Sequence, residues 1–111
     1  MIDLARLGEL REEVGSDDLV EAVELFCNEV EETLARIRSE DAGVTIEDFH
    51  FLKGSALNIG LSDVGRLCQE AEHEVRDGSL GGLAIQEIEK AFSDSRMALV
   101  TELARLNVTG R

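Results

Sequence analysis

The chain has 111 residues, enough for one domain and too few for two, and its 24 Asp and Glu against 11 Lys and Arg give a formal charge of −13. That balance repels phosphate backbones and anionic lipid, so binding to nucleic acid or to a membrane surface is not expected. With no Trp, no Tyr and four Phe, the chain also lacks platforms on which bases or sugars stack. Hydrophobic residues make up 43%, too many for a disordered acidic tail. The absence of Pro beside abundant Leu, Ala, Glu and Arg points to an all-α protein, because those side chains lose little freedom in a helix.

Ile2 to Val14 predict a short amphipathic helix carrying Ile2, Leu4, Leu7, Leu10 and Val14, stopped by Gly15. Ser16, Asp17 and Asp18 offer N-caps, with Asp18 and Glu21 at capping-box spacing. Leu19, Val23, Phe26, Val30, Leu34 and Ile37 then recur at steps of three and four, the clearest helical stripe in the chain. Ser39 to Val44 contains Asp41 and Gly43 and reads as a connection. Thr45-Ile46-Glu47-Asp48 repeats the capping pattern and opens a third helix to about Ile59, closed by Gly60. Ser62 or Asp63 caps the fourth, whose buried set is Val64, Leu67, Cys68, Ala71 and Val75, and Asp77-Gly78 ends it. After the Ser79-Leu80-Gly81-Gly82 loop, the last helix runs from about Leu83 to Leu106, with Ile85, Ile88, Phe92, Ser95, Leu99, Leu103 and Leu106 on one stripe. Short loops make successive helices antiparallel neighbours. The expected fold is therefore one domain over residues 1–111, an antiparallel four-helix bundle over 16–107 preceded by a short extra N-terminal helix over 1–15.

Cys27 and Cys68 fall on core stripes and read as small buried hydrophobes in a reducing compartment. No stretch approaches the roughly 20 apolar residues of a membrane span, and the N-terminus has no signal-peptide pattern, so a cytoplasmic location is expected. The Met1 start and compact ending fit a free-standing protein. Neither Cys-x-x-Cys nor His-x-x-x-His spacing occurs, so no metal site is expected on this chain. Glu72-His73-Glu74 reads as a solvated helix face.

The chemistry concentrates on the third helix. At about 100° per residue, Phe49, Leu52, Ala56 and Ile59 cluster toward the core and His50 points away, with Lys53 and Gly54 one turn along on its own face. An imidazole turned to solvent on a rigid helix is largely neutral at physiological pH and offers a nitrogen lone pair as a nucleophile. Gly54 costs the helix about 1 kcal/mol relative to Ala, and at four residues beyond His50 its missing side chain clears space for a bulky group or a partner's backbone. Lys53 alone would be an ordinary surface charge, pairing with a neighbour such as Glu47. Beside His50 it can balance charge on a phosphoryl group. A nucleophilic His, a cation and a clearing on one face describe a phosphoryl acceptor.

The run His50-Phe51-Leu52-Lys53-Gly54-Ser55, followed by Gly60, resembles the H-x-L-K-G-S signature of histidine-containing phosphotransfer (HPt) domains. Five such fixed positions arise by chance on the order of once in ten thousand chains of this length. Cys68-Gln69-Glu70-Ala71-Glu72 and the Arg76-Asp77-Gly78 turn resemble the family's next helix, so the likeness spans nearly the whole chain. The resemblance implies a four-helix bundle in which His50 is phosphorylated, Lys53 supports the phosphoryl group and Gly54 leaves room for the partner, while Ser55 bonds locally. It also implies a phosphorelay carrier that takes a phosphoryl group from a receiver-domain aspartate and passes it to another receiver. Partners would be response-regulator receiver domains or a hybrid histidine kinase. The chain itself would bind no cofactor, any Mg²⁺ sitting in the partner's acidic pocket.

The family usually has a small residue before the His and a small or polar one after it, whereas Phe49 and Phe51 flank His50 here. Phe49 fits the edge of the core arc. Phe51 lies about 100° from His50 and well off the core centre, so it is expected to be partly exposed as a docking contact. Leu57 is a further expected partner contact. No glycine-rich nucleotide loop is present, so phosphorylation directly from ATP is not expected. A monomer is the simpler expectation. The competing reading is a non-catalytic acidic helical adaptor that binds a partner through an apolar face including Phe51.

Overall fold

The first helix begins where Asp3, in extended conformation, turns its side chain back to accept the Arg6 amide at 3.1 Å, supplying one of the amide partners a helix start lacks. In the computed structural model, which describes residues 2–39, 46–77 and 82–109, five helices follow in order. They are α1 (Leu4–Val14), α2 (Leu19–Ser39), α3 (Ile46–Asn58), α4 (Ser62–Asp77) and α5 (Gly82–Thr109). The described residues contain no strand; Ile2 and Leu61 form one isolated antiparallel bridge. That bridge is why α1 starts at Leu4 and not at Ile2. The Thr45 cap and the connections over 40–45 and 78–81 lie outside the described residues. α5 is longer than its periodicity predicts, reaching Thr109. No helix among the described residues is long and apolar enough to cross a membrane.

The stripes read from the sequence are the buried ones. Leu19, Val23, Cys27, Val30, Leu34 and Ile37 of α2 face Ile88, Phe92, Leu99 and Leu103 of α5 and the apolar sides of α3 and α4 in one core. Phe26, Leu67, Val75, Ile85 and Leu106 pack at its margin and stay partly exposed. Leu4, on the apolar side expected for α1, is instead 52% exposed, while Leu7 and Leu10 carry that helix's contact. α2 packs on α3, α3 on α4, α4 on α5, and α5 returns to α2; α1 lies against α2 and α3. The molecule measures 49 × 22 × 21 Å, a cross-section of about two helix diameters each way. Ion pairs Arg36–Asp48, Arg38–Glu89 and Arg96–Glu31 cross-link α2 to α3 and α5 along the rim.

One junction fixes the end of α3. Gly60 has φ +79, a left-handed conformation that stops the helix, and its carbonyl accepts the Asp3 amide at 2.7 Å. The Arg6 guanidinium donates to the Asn58 carbonyl at 3.1 Å and is itself held by Glu9 and Glu13. The N-terminal helix is thus a clamp on the C-terminus of α3. An added Cβ at Gly60 would lie 2.8 Å from the Asp3 carbonyl oxygen, backbone that cannot easily yield. Gly60→Ala is accordingly expected to lose at least the 1–2 kcal/mol that a left-handed conformation costs a residue with a Cβ, read as an earlier midpoint in urea unfolding.

Candidate functional site

Phe49, Leu52, Ala56 and Ile59 are fully buried and hold α3 on the core. The three large side chains contribute roughly 5–9 kcal/mol of burial before entropy is counted. With that face fixed, helical geometry turns His50 outward, and its side chain is 77% exposed. The expected placements of Phe49 in the core and His50 on the surface both hold.

The imidazole is not free, however. His50 Nδ1 lies 3.2 Å from Oε1 of Glu72 on α4, and Glu72 is only 13% exposed. An ionised carboxylate accepts hydrogen bonds and donates none, so a neutral His50 ring in this contact would carry its proton on Nδ1 and its lone pair on Nε2. The solvated face expected for Glu72-His73-Glu74 is therefore corrected for Glu72, which is largely covered and engaged with His50, while His73 is exposed. Twenty-two residues separate the pair, so no local spacing links them. The available signal was Glu72's place next to Ala71 and four residues after Cys68, on the border of the buried stripe of α4.

Lys53, three residues beyond His50, is half-buried and makes no ion pair among the described residues. The suggested pairing with Glu47 is not formed. Gly54 is exposed, and a Cβ there would meet nothing within 4 Å. No packing among the described residues asks for glycine at this position, in contrast to Gly60. Phe51 is 46% exposed and Leu57 42%, so both expected docking residues reach the surface. Ser55 is buried.

Cys68 is the other nucleophilic side chain near Glu72. Burial pushes its thiol up to about 12, with the Glu72 carboxylate adding to the effect, so it stays protonated and unreactive at physiological pH. Cys27 is also buried and its thiol pushed up by burial. The described residues contain no cluster of three His, Cys, Asp or Glu able to hold a metal ion. What remains is a nucleophilic nitrogen, oriented by a carboxylate, with a cation and an empty notch on the same helix. Such a group on an open surface can form a covalent bond to an electrophile delivered by another macromolecule. It has no walls of its own to exclude water.

Among protein families, the one described as Hpt domain matches residues 21–107. No curated protein and no solved structure matches the chain.

Proposed function

Since this chain belongs to the Hpt domain family, the phosphocarriers of two-component phosphorelays, we propose that His50 is the residue that carries the phosphoryl group. The observation that carries this reading is the His50–Glu72 hydrogen bond, which leaves the Nε2 lone pair on a ring 77% exposed. Nε2 attacks the phosphorus of a receiver's aspartyl phosphate. The N–P bond forms, the acyl P–O bond breaks, and the aspartate leaves as a carboxylate. No proton moves, because Nδ1–H remains on the ring, which becomes cationic with the Glu72 carboxylate against it. Lys53 balances the phosphoryl oxygens and Gly54 admits the receiver's backbone. Transfer to a second receiver is the reverse sequence with a new aspartate.

Phe51 and Leu57 supply the apolar contacts around this centre. Partners are receiver domains, alone or within a hybrid histidine kinase, and Mg²⁺ belongs in the receiver's acidic pocket. ATP alone should label nothing. The reading includes a cytoplasmic monomer of one domain over 1–111. The ring of contacts α2–α3–α4–α5–α2 supports an antiparallel four-helix bundle over 16–107, with 1–15 as the extra N-terminal element.

The test is label transfer from a phosphorylated receiver with Glu72→Ala beside the wild type. Loss of one charge-assisted hydrogen bond, about 1.5–3 kcal/mol, slows transfer by roughly 10- to 150-fold. Glu72→Gln, which keeps an acceptor without the charge, falls between. Imidazole ¹⁵N spectra check the cause, since wild type should hold the proton on Nδ1 and Glu72→Ala should give a tautomer mixture. Equal rates in all three chains would remove Glu72 from the mechanism.

The exposure of Phe51 and Leu57 favours a second reading, a non-catalytic helical adaptor whose apolar contacts alone hold the partner. In that case Phe51→Ala destroys activity and His50→Gln retains it.

A further inference from the structure

A third glycine has neither the left-handed conformation of Gly60 nor the open surroundings of Gly54. Gly65 is buried within α4, where a Cβ would lie 2.5 Å from Cδ2 and 2.9 Å from Cγ of Leu57. Those distances are shorter than real side-chain contacts, so Leu57 lies in a notch at Gly65 and a Cβ there would oblige the Leu57 side chain to move. Leu57 is nonetheless 42% exposed, with one part of the side chain resting on α4 and the rest facing solvent. It stands seven residues beyond His50, two turns and about 10 Å along the same face of α3.

We propose that Gly65 is a positioning residue that seats Leu57 across α4 and so sets the height of the apolar rim beside His50 that a receiver domain must meet. This rests on the phosphocarrier reading above. Any larger residue at 65 drives Leu57 out of the notch, and the direction open to it is solvent, the space the partner's surface occupies. The role is one of fit: Gly65 touches neither the phosphoryl group nor His50. It acts on recognition of the receiver and leaves the nucleophile, its orienting carboxylate and the clearing at Gly54 as they are.

The experiment uses the receiver that labels the wild-type chain fastest, phosphorylated with labelled acetyl phosphate, and compares wild type, Gly65→Ala, Leu57→Ala and the double variant. Gly65→Ala is expected to raise KM roughly fivefold while the rate at saturating receiver changes by less than about twofold, the pattern of lost binding without lost chemistry. In the Leu57→Ala background, where the obstructing side chain is gone, adding Gly65→Ala should change KM by less than about twofold, because coupled neighbours are not additive. Melting temperatures recorded alongside separate fit from damage. A Gly65→Ala chain that melts earlier with KM unchanged marks the glycine as a packing spacer and overturns the proposal. So do effects of the two substitutions that simply multiply. A wild-type chain that takes no label from any receiver removes the proposal together with the reading beneath it, whereas normal labelling with an indifferent Gly65→Ala removes the proposal alone.

Discussion

Replacing His50 by glutamine leaves labelled phosphate on the donor receiver, with no transfer to this chain, while the fold is unchanged. The expected loss is complete because, among the described residues, no second imidazole or accessible thiol stands at the site. Cys68 is buried and protonated, Ser55 is buried, and His73, though exposed, has no lysine and glycine on its face. Stability should move little, since His50 is 77% exposed and its substitution removes almost no packing. Glutamine is the informative replacement because its amide can still donate to the Glu72 carboxylate, which at 13% exposure would otherwise be left without its partner. A shift in unfolding free energy within about 0.5 kcal/mol, the range for surface substitutions, together with zero label, assigns the loss to chemistry. Retained activity would favour the adaptor reading.

The second large effect separates stability from function in one residue. Gly54→Leu is expected to raise stability by up to about 1 kcal/mol, because a glycine inside a helix is disfavoured by that amount and a Cβ at this position meets no neighbour within 4 Å. The same side chain projects from the face of His50, one turn along, into the space a receiver has to enter. Transfer should fall at least about tenfold, equivalent to 1.4 kcal/mol in the barrier. Gly54→Ala should gain most of the stability and lose far less of the rate, since one methyl intrudes little. Urea unfolding and transfer kinetics on the same samples check both halves. A stabilised Gly54→Leu chain that transfers at the wild-type rate would show that the clearing has no role.

Much of this was legible in the residues. The stripes of α2, α3 and α5 could be read because apolar side chains at steps of three and four have to share a face, and the structure buries them as that geometry requires. His50, Lys53 and Gly54 were legible for the same reason, all three lying on one helix within four residues. Phe51 was separable from Phe49 by its angle on the wheel alone, and the two differ accordingly, 46% exposed against fully buried. What the sequence could not display were contacts between helices. Glu72 looks like its charged neighbours until α4 is set against α3, and Gly65 stands out only once Leu57 is laid across it. The N-terminal helix reads as accessory for the same reason. Its task, carried by Asp3 and Arg6, is to secure Gly60 and Asn58 more than fifty residues away.

The glycines show how one residue type answers different physical demands. Gly60 meets a backbone requirement, Gly65 a packing requirement, and Gly54 meets none among the described residues. An unforced cost at an exposed position beside an oriented imidazole is the feature that most directly suggests a partner. The net charge of −13 acts on any such encounter, since a chain this acidic repels acidic surfaces and favours basic ones.

The most direct measurement is the chemical identity of the bond formed when a phosphorylated receiver is mixed with the wild-type chain. The account predicts label on this protein that is lost in acid and kept in base, with a ³¹P resonance of phosphohistidine substituted at Nε2, and its return to a second, unphosphorylated receiver. Label that survives acid, a phosphoryl group on Nδ1, or no label from a panel of receivers would contradict it.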